Sequence, residues 1–136
     1  MSRFLAQFAA EEFLCRRDAL CTAHAAGKIT ADAANHNAQL WLAIACAAGA
    51  DLPELHALAT PRIFPPGTMA AVCAADLADP LEWRAELTRA RDRAVRKALS
   101  NPKDLRTQQR AWDLQTLAVQ LGCPETTPIN EERNAA

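Results

Sequence analysis

The sequence predicts an all-α protein, a single-domain bundle of five or six helices, and three observations support this fold class. Alanine and leucine dominate the hydrophobic residues, whereas aromatic residues make up only 5% of the chain and tyrosine is absent. Ala and Leu favour helices, while β-branched and aromatic residues favour strands. All four glycines and eight prolines lie where a helix is expected to begin, end or be absent. Finally, an Asp or Asn shortly before a Pro, a pattern that signals the start of a helix, recurs along the chain.

The N-terminal part is predicted to form an antiparallel helical hairpin. The first helix runs from about residue 3 to 26 and ends at Gly27, which suits the left-handed position after a helix. Thr30 can cap the second helix, which extends to Gly49. So short a connection between the two helices requires them to pack side by side.

Short helices and an irregular loop are expected in the middle of the chain. Asp51 and Pro53 signal a short helix ending near residue 59. Residues 60–67 (TPRIFPPG) contain three prolines, which exclude a helix, and we expect Ile63 and Phe64 to point inward. A further short helix is expected over about residues 68–78.

The C-terminal part is predicted to be a second hairpin followed by a tail. Asp79-Pro80 begins a long helix to about residue 99, and Asn101-Pro102 begins the last helix, which ends at Gly122. We therefore expect a single helical domain over residues 1–122. Residues 123–136 are polar and are expected to be loose or ordered only by a partner.

Composition points to a cytoplasmic protein that binds no membrane and needs no cofactor. The N-terminus lacks a signal-peptide pattern, and the longest apolar stretch is too short to span a bilayer. Five cysteines, an odd number without paired spacing, indicate reduced thiols. The Ala- and Arg-rich composition is typical of bacteria with high-GC genomes or of their phages.

The most informative feature is an uneven distribution of charge. The net charge is −1, but residues 84–110 hold nine basic residues against three acidic ones. Helical spacing predicts a basic face on the C-terminal hairpin, formed by Arg89, Arg93, Arg96, Lys97, Arg106 and Arg110. Its alternative interpretation is a solvated surface whose charges pair locally, for example Asp92 with Arg96.

The basic face leads to the main functional hypothesis, a small non-enzymatic binding protein for an anionic partner. That partner would be nucleic acid or a nucleoprotein complex, held through backbone phosphates. An acidic protein surface is also possible. The first hairpin has helix-turn-helix spacing, but its second helix offers no basic residue to DNA, so it is expected to be a packing helix.

The alternative function is a protein–protein interaction module, such as a phage or mobile-element inhibitor, adaptor or assembly subunit. Its interface would use aromatic and apolar anchors, for which the candidates are Ile63, Phe64, Trp83 and Trp112. The oligomeric state is left open by the sequence.

A metal- or thiol-dependent enzyme is the second alternative, and its signals are weak. Cys21, His24 and His36 would approach one another if the first hairpin were symmetrical, but they match no established zinc spacing. Cys73 lies near a helix start, where a thiolate can be stabilised. No phosphate-binding loop or nucleophile motif is present, so no metal, cofactor or catalytic residue is assigned.

Overall fold

Six α-helices account for the architecture in a computed structural model, which describes residues 3–59 and 62–125. No strand occurs within these two ranges, so the predicted all-α bundle is confirmed. The helices are α1 (Arg3–Ala25), α2 (Ala31–Ala47), α3 (Pro53–Ala59), α4 (Met69–Leu77), α5 (Pro80–Ser100) and α6 (Leu105–Gln120).

The turn between α1 and α2 has the expected local structure. Gly27 adopts a φ of +74°, and its N–H donates to the carbonyl of His24. The N–H of Lys28 donates to Ala23, which completes a Schellman motif. The Thr30 hydroxyl then accepts from the N–H of Ala33 and caps α2. Local hydrogen bonding therefore determines the hairpin turn.

Aspartates cap both helices of the C-terminal hairpin, but one cap differs from the prediction. Asp79 accepts from the N–H of Leu81 and begins α5, as expected. The cap of α6 is Asp104, which accepts from the backbone of Arg106 and Thr107. The predicted start at Asn101 was wrong: its side chain instead donates to the carbonyl of Lys97 and helps to end α5.

Two hairpins form the frame of the molecule. Helix α1 packs on α2 and α5 packs on α6, and the hairpins meet through α2–α5 and α1–α6 contacts. Helix α4 lies against the other flank of α2. The hairpin α5–α6 is antiparallel, since Gln108 reaches the carbonyl of Ala98 while Arg84 reaches that of Leu121.

The core lies where the four long helices meet. Its largest fully buried side chains are Trp41, Ile44, Leu87, Leu114 and Leu117. Alanines fill half of the remaining buried positions on α2 and α5, which lets the helices approach closely. Helix α2 is the most deeply buried, with seven consecutive buried residues from Leu40 to Cys46.

Two further features bear on the predictions. None of the described helices is long and apolar enough to cross a membrane. At the predicted tail, the Cys123 thiol donates to the carbonyl of Arg84 at 3.7 Å, and the carbonyl of Pro124 accepts from Arg91. Residues 126–136, the rest of that tail, lie outside the described residues.

Candidate functional site

Helix α5 presents its arginines to solvent because its opposite face is buried. Leu87, Ala90, Ala94 and Ala98 all lie in the core, as their spacing predicts. The residues on the other side of the same helix form a line over little more than two turns, here called the basic row: Arg89, Arg93, Arg96 and Lys97. All four are exposed.

Arg89 is the member of the basic row that forms an ion pair. Its Nη2 lies 3.1 Å from Oε1 of Glu86, which is buried. Trp41 and Asn37 also donate to Glu86, at 3.0 and 3.3 Å. Burial would raise the pKa of Glu86, but these hydrogen bonds and the Arg89 charge hold it below its usual value of 4.5. Arg89 is therefore partly neutralised.

Arg93 and Arg96 keep their charge available to a partner. Neither forms an ion pair within the described residues. The local pairing of Asp92 with Arg96, which would support a merely solvated surface, is not made. Asp92 Oδ1 instead accepts from Arg91, 3.0 Å from Nη2, and Arg91 is buried. Because the buried Arg91 pairs with Asp92, this carboxylate does not neutralise Arg93 or Arg96.

Lys97 stands next to a carboxylate at the end of the hairpin. Asp104 caps α6, and hydrogen bonds from Thr107 and Arg106, together with the charge of Lys97, lower its pKa. Lys97 is exposed at this end of the basic row, as Arg93 and Arg96 are further along it.

Arg110 does not belong to the same surface as the basic row. Its Nε and Nη2 donate to the two oxygens of Glu12 on α1, at 3.0 and 3.2 Å. Gln108, on another side of α6, reaches α5 instead. By helical spacing, Arg106 lies on the same side of α6 as Arg110, four residues before it. The predicted basic face therefore loses Arg110 as a free cation, because its guanidinium is paired with Glu12, while binding by the other five cations stays a prediction.

Glu12 is the centre of a buried polar cluster whose arginine partners the sequence did not indicate. Besides Arg110, it accepts from Arg16 Nε at 3.0 Å, and the Arg16 guanidinium lies 3.8 Å from the centroid of the Trp41 ring. Burial would raise the pKa of Glu12, but the two arginines lower it. Glu12 lies at helical spacing from Leu5, Ala9 and Phe13, which are buried, and this spacing was the sign in the sequence that Glu12 is buried too.

The loop before α4 places only one of its two apolar residues inward. Phe64 is half-buried against the core, as expected, and the Arg62 guanidinium lies 4.9 Å from its ring centroid. Ile63 is 97% exposed, so its predicted inward position was wrong. In an extended segment, neighbouring side chains point to opposite sides, and Phe64 occupies the inner one.

The tryptophans also have different environments. Trp41 and Trp83 are buried, so Trp83 is not available as an interface residue, and that expectation was wrong. Its buried Nε1 has no hydrogen-bond partner among the described residues. Trp112 is 66% exposed and remains an interface candidate. Its neighbours on the outer side of the C-terminal hairpin are other exposed apolar side chains: Leu99, Leu105 and Val119.

The weak metal candidates do not come together. The Nδ1 of His24 lies 3.2 Å from the carbonyl of Ile29, His36 pairs with Glu82 at 3.1 Å, and Cys21 is exposed on α1. In the part of the chain that the structure describes, no three His, Cys, Asp or Glu residues are grouped as a metal site would require.

The thiols divide into exposed and buried ones. Cys15 and Cys21 are exposed, whereas Cys46 and Cys73 lie in the core, and all five cysteines are free. Burial, with a contribution from Cys73 and Asp76, raises the pKa of Cys46 to about 11. Such a thiol stays protonated at neutral pH and is a poor nucleophile.

Comparison with protein-family models, with curated proteins and with solved structures finds no match.

Proposed function

We propose that this chain is a small non-enzymatic binding protein that holds an anionic partner, nucleic acid or a nucleoprotein complex, on the basic row of α5. The observation that carries the proposal is the state of Arg93 and Arg96. Both are exposed and without an ion pair in the described ranges, although α5 and its surroundings contain carboxylates. Glu86 is paired with Arg89, Asp92 with Arg91 and Glu82 with His36.

Such a row suits backbone phosphates. Arg93, Arg96 and Lys97 project from adjacent turns of a rigid helix, and an arginine fork can donate to two phosphate oxygens. Phosphate contacts release counterions, so the affinity depends steeply on salt. The row contains no aromatic residue that would stack on bases, and we propose that its arginines contact phosphates without reading base edges.

The test is binding of a labelled duplex and a labelled single strand at 50 and 200 mM salt. The variant Arg93→Glu/Arg96→Glu is compared with Arg3→Glu/Lys28→Glu, which changes the net charge equally at two other exposed positions. We expect the first variant to bind at least about tenfold more weakly than wild type, and the second to stay near wild type. In the first variant, the slope of log affinity against log salt concentration should also fall in magnitude by about 2. Circular dichroism verifies that both variants fold.

Two results would contradict the proposal. If the control variant loses as much affinity as Arg93→Glu/Arg96→Glu, binding depends only on net charge. If wild type binds neither strand at 50 mM salt, the basic row does not bind nucleic acid.

A protein partner is the second candidate function, and one observation favours it. Ile63 is almost fully exposed in a loop held by Phe64 against the core and by an ion pair between Arg62 and Asp76. An apolar side chain on an anchored loop can insert into a partner at small entropic cost. Affinity capture with wild type and Ile63→Asp tests this, since a partner docking there is retained only by wild type.

We also propose a bacterial or phage origin and a cytoplasmic location. The Ala- and Arg-rich composition and the five free cysteines support this assignment. Measured localisation of a tagged chain in a bacterial host would test the second part.

A further inference from the structure

The outer side of the C-terminal hairpin carries an apolar stripe with regular spacing. Leu105, Trp112 and Val119 follow one another at seven-residue intervals on α6, and Leu99 of α5 lies beside them. All are exposed, Leu105 by 81% and Val119 by 70%. Seven residues correspond to almost two helical turns, so the three side chains of α6 form one straight line about 21 Å long. These four residues are here called the outer stripe.

The outer stripe is uncharged. Between its members, α6 exposes or half-exposes neutral Gln108, Gln115 and Thr116. Three residues of α6 are charged: Arg106 is exposed but lies off this line with Arg110 by helical spacing, Arg110 binds Glu12 on the α1 flank, and Asp113 is buried and accepts from Gln109. A charged partner would find no counter-charge on this line, whereas a second copy brings no like charge to it.

The surface also offers a projection and a recess that fit each other. Beside Trp112 lies a groove whose other lining residues come from both helices: Val95, Ala98 and Leu99 of α5, and Gln108, Ala111 and Gln115 of α6. In a two-fold pair the same patch meets itself, so the Trp112 of each copy can enter the groove of the other. An antiparallel arrangement centred on Trp112 also sets Leu105 of one copy against Val119 of the other.

We propose that two copies of this chain associate through the outer stripes of α6, antiparallel about Trp112. The exposed parts of the four side chains amount to roughly 500 Å² per copy, or about 1,000 Å² for the pair, the lower limit of a specific interface. An interface of this size is typical of weak or transient association. Association at the outer stripe is independent of the function proposed for the basic row.

Sedimentation velocity between about 1 and 500 µM tests the association, with tryptophan emission as a second signal. Trp112 is the exposed member of the three tryptophans, so its emission should shift to shorter wavelength as wild type dimerises. Trp112→Gln and Val119→Gln should remain monomeric over this range. Leu81→Gln removes an exposed apolar residue elsewhere on α5 and should dimerise like wild type.

Disulfide trapping tests the antiparallel arrangement. Cys15 and Cys21 are first replaced by serine, and Leu105→Cys or Val119→Cys is introduced into this background. Each of the two chains is oxidised alone, and a mixture of both is oxidised in parallel. The mixture should give a cross-linked pair, and each chain alone should not, because identical positions lie far apart in the antiparallel pair. Wild type that is monomeric at 500 µM, dimerisation of Trp112→Gln equal to wild type, or cross-linking of either chain alone would overturn the proposal.

Discussion

Replacing Glu12 by glutamine changes only one carboxylate oxygen to an amide nitrogen. We nevertheless expect it to destabilise the protein strongly. The Glu12 side chain is 10% exposed and accepts three hydrogen bonds, one from Arg16 and two from Arg110. Removing one partner of a fully buried ion pair costs about 3–5 kcal/mol, because the remaining charge stays without compensation. Here Arg110 is 45% exposed and regains water, and glutamine still accepts one hydrogen bond. We therefore expect a loss of about 2 kcal/mol in the free energy of unfolding.

Urea unfolding followed by circular dichroism measures this loss, and Tm should fall by about 6–10 °C. Glu11→Gln is the matched control, since Glu11 is exposed and interacts with Gln7 at 3.3 Å. It should change stability by less than about 0.5 kcal/mol. A double-mutant cycle with Arg110→Met should give a coupling energy of about 1–2 kcal/mol. If Glu12→Gln matches Glu11→Gln, or the coupling energy is zero, the ion pair between α1 and α6 does not stabilise the fold.

Two further predictions concern pH and helix capping. The folded-state pKa values of Glu12 and Glu86 are lowered from 4.5, so their contribution to stability is fully present above about pH 4.5 and is lost as the pH falls through the folded values. Unfolding midpoints measured from pH 7 to 3 should fall steeply below pH 4.5 for wild type, and less steeply for Glu86→Gln; parallel curves would contradict this. Separately, Asp104→Ala should cost about 1 kcal/mol in thermal or urea unfolding because it removes the cap of α6, whereas Asn101→Ala should cost clearly less. Equal losses would mean that capping by Asp104 is not what begins the helix.

The elements of the fold could be read from the sequence because short-range interactions decide where a helix begins and ends. Gly27 ends α1 since its positive φ allows the last carbonyls of the helix to be satisfied, and Thr30 and Asp79 supply cap oxygens within three residues of their donors. The start of α6 is the exception. Two candidate caps, Asn101 and Asp104, stand three residues apart, and the end of α5 takes the first of them.

Which charged side chains are paired and which stay in solvent could be read only from the tertiary structure. From the spacing on α5 and α6 alone, six cations resemble one basic face. The packing of α6 between α1 and α5 turns Arg110 towards Glu12, while Arg93 and Arg96 stay in solvent. Glu12 and Arg110 are 98 residues apart along the chain, so no local pattern connects them.

What the sequence by itself determined is therefore the helical class, the helix bounds to within a few residues and the buried stripe of α5. The tertiary structure decided which charges are neutralised and which apolar side chains stay exposed, as the contrast between buried Trp83 and exposed Trp112 shows. The physical reason is the distance along the chain over which each interaction acts. Capping and helical periodicity act within one or two turns, whereas the burial and pairing of a side chain depend on the neighbour that a distant part of the chain brings against it.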